Sequence, residues 1–191
     1  MNVETYFRDR LRELESIASR GDPWIFLCAS SFIEYLGKMA HGGPIGLKEY
    51  KEFLRTRFFT VCPQYGSFKY ASGKSDLADQ MYHVLRCGIV HSFSVFADAI
   101  ANKYGGRDRS ILLAHRKSAS GRAHLDNIVN RRRKPPLDAA LLVAEDFVDD
   151  IAKVTDDLFA ESRRKTPAGR QLRKNIQTCV SKCPPIGFLI L

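Results

Sequence analysis

The chain has 191 residues, of which 45% are hydrophobic and 27% charged, and this is the size and composition of one globular domain. Its first ten residues are charged rather than apolar, so we expect no secretory signal. The longest apolar run, residues 24–40, contains Glu34 and Lys38 and is too short to span a bilayer. Five cysteines without a disulfide framework favour a reducing compartment. We therefore expect a soluble, cytoplasmic protein.

Positive charge is concentrated in the second half of the chain. Residues 1–100 carry 12 Lys and Arg against 11 Asp and Glu, whereas residues 101–191 carry 18 against 10. Nearly all of the formal net charge of +9 therefore belongs to the second half. Such a basic half is typical of proteins that contact polyanions such as nucleic acids. The alternative is a solvated basic face that keeps the protein soluble.

Hydrophobic periodicity predicts four helices in the first half. Val3, Phe7 and Leu11 share one side of an amphipathic helix. Asp22 and Pro23 provide a cap and a first-turn proline for a second helix, which is apolar nearly all round and should be buried. The predicted helices span residues 3–20, 24–40, 47–59 and 77–103, and a loop is predicted over residues 62–74.

The second half begins with two short apolar runs around a turn, which predict a β-hairpin at about residues 110–129. A basic linker over residues 131–136 precedes a fifth long helix over residues 137–162. We therefore predict a mainly α protein, a helical bundle of four to five long helices with a small β-hairpin insertion. Residues 1–162 would form the bundle, and residues 163–191 would form a basic C-terminal extension with an apolar end.

The sequence RCGIVH, from Arg86 to His91, is the strongest candidate for chemistry. It places a permanent cation and a group that titrates near neutrality in the middle of the longest predicted helix. A guanidinium can hold a phosphate with a planar set of donors, and an imidazole can transfer a proton at physiological pH. On an α-helix the two side chains would lie about 140° apart around the axis and could flank one groove. Arg109 and His115 show similar spacing, but they span a loop and a predicted strand, where no common face is enforced.

The segment DLADQMYHVLRCGIVHSF, residues 76–93, resembles the signature helix of the HEPN superfamily of small helical-bundle proteins. The hallmark of that family is an arginine followed, after four to six residues, by a histidine on the third core helix of a four-helix bundle. The resemblance covers residues 1–162 in helix order, and only RCGIVH is specific. Many members are metal-independent endoribonucleases of toxin–antitoxin, abortive-infection and CRISPR-associated systems.

The resemblance implies a homodimer in which two motifs meet at a symmetric cleft, with Arg86 and His91 as the catalytic pair. It also implies RNA as substrate, an antitoxin or other partner protein, and no cofactor. By residue chemistry, His91 would activate the ribose 2′-hydroxyl or protonate the leaving oxygen, and Arg86 would stabilise the charge of the phosphorane. The products would carry 2′,3′-cyclic phosphate ends. Two subunits would supply the two acid–base groups that the reaction needs.

A second hypothesis is a non-catalytic HEPN-like module that binds nucleotide or RNA or regulates a partner protein. Active members of the family usually carry Asn, Asp or His directly after the motif arginine, where this chain has Cys87. A thiol is a weak hydrogen-bond donor and behaves as a small hydrophobe, which favours this second hypothesis.

Metal binding is the weaker interpretation of three other patterns. Asp79, His83, Cys87 and His91 recur every four residues, but ligands spread over more than two turns of a straight helix cannot all reach one zinc ion. Cys179 and Cys183 could supply two zinc ligands, but the sequence offers no second pair to complete a four-ligand site. Carboxylates on the last long helix could bind Mg²⁺, although a solvated face is the better explanation. These carboxylates are Glu145, Asp146, Asp149, Asp150, Asp156 and Asp157.

Candidate RNA contacts lie outside the motif. Lys69 and Tyr70 could meet RNA by charge and stacking, the alternative being an aromatic loop packed on the bundle. The main candidates for backbone contacts are Arg131, Arg132, Arg133 and Lys134, followed by Arg163, Arg164, Lys165, Arg170, Arg173 and Lys174. The alternative for both groups is a solvated linker and tail. The apolar end, residues 186–191, is expected to dock on the bundle or on a second subunit.

Overall fold

A computed structural model of the protein describes residues 2–71, 73, 77–89, 109–132 and 136–185. The described residues are mainly helical and include one small sheet, which confirms the mainly α prediction. The predicted continuation of the fourth helix to residue 103 and the apolar end at residues 186–191 lie outside the described residues. No helix in these ranges is long and apolar enough to cross a membrane.

The first two helices agree with the prediction because their ends carry clear signals. Asn2 begins the first helix by accepting a hydrogen bond from the backbone N–H of Glu4 at 2.9 Å. Gly42 ends the second helix with a φ of 91°, a conformation that glycine adopts without steric cost. These helices are α1, Val3–Ser19, and α2, Trp24–His41.

The third predicted helix contains a π-helical segment. It consists of α3, Leu47–Phe53, π1, Leu54–Phe58, and α4, Phe59–Val61. The predicted loop over residues 62–74 is wrong in part, because a short helix, α5, covers Pro63–Ser67. Pro63 lies in its first turn, where the fixed φ of proline favours helix initiation.

The fourth helix begins at Leu77 as predicted but is not α-helical around the candidate arginine. It starts as α6, Leu77–Gln80, and continues as π2, Met81–Ile89. In a π-helix each N–H bonds to the carbonyl five residues earlier, and such segments are frequent at functional sites. The angle of about 140° that α-helical geometry gives for a five-residue spacing therefore does not apply over residues 81–89.

The predicted β-hairpin is wrong, because its two strands do not pair with each other. The strands are β1, Arg109–Ala114, β2, Asn127–Asn130, and β3, Leu137–Val143. Strand β3 lies between the other two, in the order β1-β3-β2, and is parallel to β1 and antiparallel to β2. Ile111 of β1 is opposite Ala140 of β3, and Asn127 of β2 is opposite the same Ala140.

The predicted fifth helix is also corrected, since its first seven residues form β3. A central strand buried on both faces has a nearly continuous apolar run, and such a run is easily mistaken for a buried helix. Six of the seven β3 residues are buried. The helix that follows is α7, Ala144–Arg163, and the last described helix is α8, Pro167–Lys182.

Helix α2 lies at the centre of the core and packs against α1, α3, π2, α7 and α8. Helix α8 therefore contributes to the core, with Leu172, Ile176 and Val180 buried. The turn from α7 to α8 requires Gly169, because a Cβ there would lie 2.5 Å from the carbonyl oxygen of Arg164.

Candidate functional site

Arg86 lies in the π-helical segment π2, where Tyr82 fixes its guanidinium group. Nη1 of Arg86 donates a hydrogen bond to the Tyr82 hydroxyl at 3.1 Å. The guanidinium carbon also lies 5.2 Å from the centre of the Tyr82 ring, within the range of a cation–π contact. The Arg86 side chain remains 19% exposed, so the group is oriented but not sealed off.

Glu34 of α2 forms an ion pair with Arg86 of π2. Its Oε2 atom lies 3.3 Å from Nε of Arg86, although the N–H is not aligned as a hydrogen bond, so the contact is electrostatic. Glu34 is also paired with Lys38, at 3.0 Å between Oε1 and Nζ. Burial acts to lower the pKa of Arg86, but Glu34 and Tyr82 outweigh it and raise that pKa, so the guanidinium stays charged.

Tyr50 of α3 packs against Tyr82 on the side of this site that the structure describes. Its ring is 5.6 Å from that of Tyr82, and its side chain is fully buried. Within the described residues its hydroxyl has no hydrogen-bond partner. Burial raises the pKa of Tyr50 and also that of Tyr82, so both phenols are neutral at physiological pH.

Sequence reasoning identified Arg86 but missed Glu34, Tyr82 and Tyr50 as its neighbours. Glu34 did carry a signal, because it is the only carboxylate in a helix that is apolar nearly all round. A carboxylate in such a place needs a cation partner. His91 lies outside the described residues, so the pairing of Arg86 with His91 stays a prediction.

The structure changes the interpretation of one predicted RNA contact. Tyr70 is only 2% exposed, and its hydroxyl donates to the carbonyl oxygen of Ser110 at 3.2 Å. A ring buried in this way cannot stack on a base, so the loop packs on the protein as the alternative held. Lys69 is exposed, as are Arg131 and Arg132 at the end of β2. Arg133 and Lys134 lie outside the described residues.

Asp79, the first residue of the predicted Asp79–His83 stripe, forms an ion pair with Lys51 and lies beside the His83 ring. Nζ of Lys51 donates to Oδ1 of Asp79 at 2.7 Å, and Nε2 of His83 lies 3.7 Å from Oδ2 of the same carboxylate. Burial lowers the pKa of His83 and so favours the neutral ring. Among the described residues, no three or more potential ligands are grouped to hold a metal ion.

A second polar cluster surrounds Asp150 of α7, which was predicted to lie on a solvated face. This prediction is wrong, because Asp150 is only 3% exposed. Its carboxylate accepts hydrogen bonds from Nε2 of Gln64 at 3.1 Å and from Nζ of Lys153 at 2.7 Å. Helical periodicity groups Asp150 with the other acidic residues of α7. It gives no sign of the contact with Gln64, which lies on α5, far away in the sequence.

His124 connects this cluster to the sheet. The backbone N–H of Val143, the last residue of β3, donates to Nδ1 of His124 at 3.0 Å. The hydrogen of the neutral ring is therefore on Nε2, which lies 2.8 Å from the Tyr65 hydroxyl and 3.7 Å from Oδ2 of Asp150. The cluster thus joins the segment before β2 to α5 and α7.

The His124 network predicts a loss of stability in acid. Burial lowers the pKa of His124, although the carboxylates of Asp150 and Asp146 oppose this. Because the folded pKa lies below the unfolded value of about 6.5, the unfolded chain takes up the proton first as the pH falls. The stability that neutral His124 contributes is therefore fully present above its pKa in the unfolded chain. It is lost as the pH falls through the pKa of His124 in the folded protein. Protonation of Nδ1 would also remove the acceptor of the Val143 N–H.

Urea unfolding of wild type and His124→Gln, at about pH 7.5 and about pH 5.5, measures this effect. We expect the free energy of unfolding to fall less between the two values in the variant than in the wild type. His41→Gln, which removes an exposed histidine at the end of α2, is the matched control. An equal fall in wild type and His124→Gln would contradict the expectation.

No family model matches the chain, and no curated protein or solved structure matches it either.

Proposed function

We propose that this protein is a metal-independent endoribonuclease of the HEPN type, acting through Arg86 and His91 at a homodimer cleft. The observation that supports the proposal is the geometry of Arg86. Its guanidinium is charged, oriented by Tyr82 and Glu34, and still partly exposed. A cation oriented before the substrate arrives needs little reorganisation to stabilise the charge of a phosphorane.

His91 supplies proton transfer in this proposal. As a base it takes the proton of the ribose 2′-hydroxyl, whose oxygen attacks the adjacent phosphorus; as an acid it protonates the departing 5′-oxygen. The bond to the 5′-oxygen breaks, and a 2′,3′-cyclic phosphate remains on the upstream product. A single histidine cannot be neutral, to act as the base, and protonated, to act as the acid, at the start of the reaction. The second subunit therefore provides the second histidine.

The bundle of four to five long helices would comprise α1, α2, the helix that begins at Leu47, the helix that begins at Leu77, and α7, with α8 packed against it. All five cysteines are free thiols, which supports a reducing, cytoplasmic location. A toxin-like or defence role would bring in an antitoxin or another partner protein.

One contact favours the second candidate, a non-catalytic HEPN-like module. The carboxylate of Glu34 partly neutralises Arg86, as in an ion pair whose role is structural. Cys87, beside Arg86, offers only a weak hydrogen-bond donor. In this alternative the arginine binds a nucleotide or RNA without turnover, or stabilises a surface that regulates a partner.

Incubation of the purified protein with end-labelled RNA in EDTA separates the two candidates. We expect wild type to cleave the RNA and an Arg86→Ala/His91→Ala double variant to leave it intact. Absence of cleavage over a broad RNA panel, or equal cleavage by the double variant, would overturn the ribonuclease proposal. Cleavage that requires Mg²⁺ would overturn its metal-independent form.

A further inference from the structure

The segment from the end of α7 to the end of α8 is rich in cations and has no acidic residue. Over residues 163–185 the sequence contains no Asp or Glu. Two of its arginines are neutralised by other parts of the chain, Arg163 by Glu4 and Arg164 by Glu161. Within the described residues, the other cations of this segment form no ion pair. These are Lys165, Arg170, Arg173, Lys174 and Lys182.

The two arginines of α8 are held by backbone carbonyls rather than by carboxylates. Nη1 of Arg170 donates to the carbonyl oxygen of Lys165 at 2.7 Å. Nε and Nη2 of Arg173 both donate to the carbonyl oxygen of Ser162, at 3.0 and 2.9 Å. A carbonyl orients a guanidinium but does not neutralise it. The positive charge therefore remains available to a phosphate.

Three other surface arginines, on α1 and in the turn after β1, show the opposite arrangement. Arg10 is paired with Glu13 at 2.7 Å, Arg12 with Asp9 at 2.7 Å, and Arg116 with Asp146 at 2.6 Å. Their charges are compensated locally, so they add little to the field of the surface. Helix α1 thus alternates cations with acids, as solvated helices usually do, whereas α8 has no acidic residue beside its cations.

Helix α8 presents its cations from a fixed position. Its opposite face is buried in the core, and Nδ2 of Asn175 donates to the carbonyl oxygen of Ala40 at 2.7 Å. At its C-terminal end, the Tyr35 hydroxyl donates to the carbonyl oxygen of Cys183 at 2.5 Å. These contacts attach α8 to α2, so binding a ligand on its outer face does not require the helix to become ordered first.

We propose that the outer face of α8, together with Lys165, binds the sugar–phosphate backbone of single-stranded RNA. The choice of RNA rests on the proposed function, whereas the choice of a polyanion rests on the charges. From Arg170 to Lys182 the helix rises about 18 Å, the length of about five nucleotides of a stacked strand. The outer face carries polar side chains, and a membrane-binding helix would instead need a large apolar face. The exposed residues of α8 are Arg170, Gln171, Arg173, Lys174, Gln177, Ser181 and Lys182.

The test is fluorescence anisotropy with a labelled single-stranded RNA in EDTA, with NaCl varied from about 0.05 to about 0.3 M. All proteins carry Arg86→Ala/His91→Ala, so that binding is measured without cleavage. The test variant adds Lys165→Gln, Arg170→Gln and Lys174→Gln and leaves Arg173 to hold Ser162. Loss of three phosphate contacts should reduce the slope of log K against log salt by about 2 and weaken binding at least about tenfold.

The matched control adds Arg10→Gln, Arg12→Gln and Arg116→Gln, which remove the same charge from residues paired with carboxylates. We expect it to keep the original slope. An equal loss of slope in both triple variants would overturn the proposal in favour of a general effect of net charge. Tighter binding to vesicles containing phosphatidylserine than to RNA, lost with the α8 variant, would also overturn it.

A second variant covers the case in which the triple substitution prevents folding. If the α8 triple variant does not fold, Lys165→Gln/Lys174→Gln, which changes only two exposed lysines, should reduce the slope by about 1.4. An unchanged slope in a folded variant overturns the proposal even if the wild type cleaves RNA. A reduced slope supports it even if no cleavage is ever observed, so that the two proposals fail separately.

Discussion

Replacing Arg86 by Ala is expected to lower the rate of RNA cleavage by about 10²–10³-fold while the protein stays folded. The guanidinium is the positioned charge that stabilises the phosphorane in our proposal. Its removal does not leave the carboxylate of Glu34 without a cation, because Lys38 lies 3.0 Å from Oε1. Single-turnover cleavage of labelled RNA in EDTA gives the rate, and a thermal melt monitored by circular dichroism gives the stability.

Two more variants make this result specific to Arg86. Arg86→Lys keeps the charge but loses the planar set of donors, so its rate should fall between those of wild type and Arg86→Ala. Arg55→Ala removes an exposed arginine from the other π-helical segment, π1, and should leave the rate within about twofold of wild type. A cleavage rate for Arg86→Ala within a factor of about three of wild type would remove Arg86 from the mechanism.

Asp150→Ala is expected to reduce the free energy of unfolding by about 3 kcal/mol. The substitution removes the acceptor of Gln64 and the carboxylate nearest to His124, in a place that is 3% exposed. Buried donors that lose their partner cost more than the mean value of one hydrogen bond. Lys153 contributes little to this loss, because its side chain is 60% exposed and can turn to water. Urea unfolding at about pH 7.5 measures the effect.

Asp149→Ala is the control for this prediction, because it changes the neighbouring carboxylate on the exposed side of α7. We expect it to change the free energy of unfolding by no more than about 0.5 kcal/mol. Equal effects of the two substitutions would mean that the buried cluster contributes no more than an exposed acidic residue.

The helices that could be predicted from sequence are those whose ends carry local signals. Asn2 caps α1, and Gly42 ends α2 in the left-handed conformation that only glycine adopts freely. Both signals act within a few residues, so periodicity and capping are sufficient to place these ends. The π-helical geometry of Met81–Ile89 has no comparable sequence signal.

The sheet could not be predicted because its pairing depends on a strand far along the chain. The two apolar runs around the turn were correctly expected to be strands, but each pairs with β3 rather than with the other. The run Leu137–Val143 lacks the alternation of a half-buried strand, since a central strand is covered on both faces. Its apolar character therefore suggested the start of the following helix.

The candidate site was predicted only as far as the residue types allow. Arg86 stands out as a cation in an apolar segment, but spacing along one helix cannot show that Glu34 of another helix faces it. The cluster of Asp150, His124 and Tyr65 was missed for the same reason, because its members come from three separate segments. Long-range contacts of this kind follow from packing and not from local pattern.

The most direct test of the ribonuclease proposal is the chemistry of the new 3′ ends, analysed after incubation of RNA and of the corresponding DNA with wild-type protein in EDTA. We expect 2′,3′-cyclic phosphate ends on the RNA products and intact DNA, because the 2′-hydroxyl is the nucleophile. RNA products that end in a 3′-hydroxyl, cleavage of the DNA, or RNA left intact would contradict it.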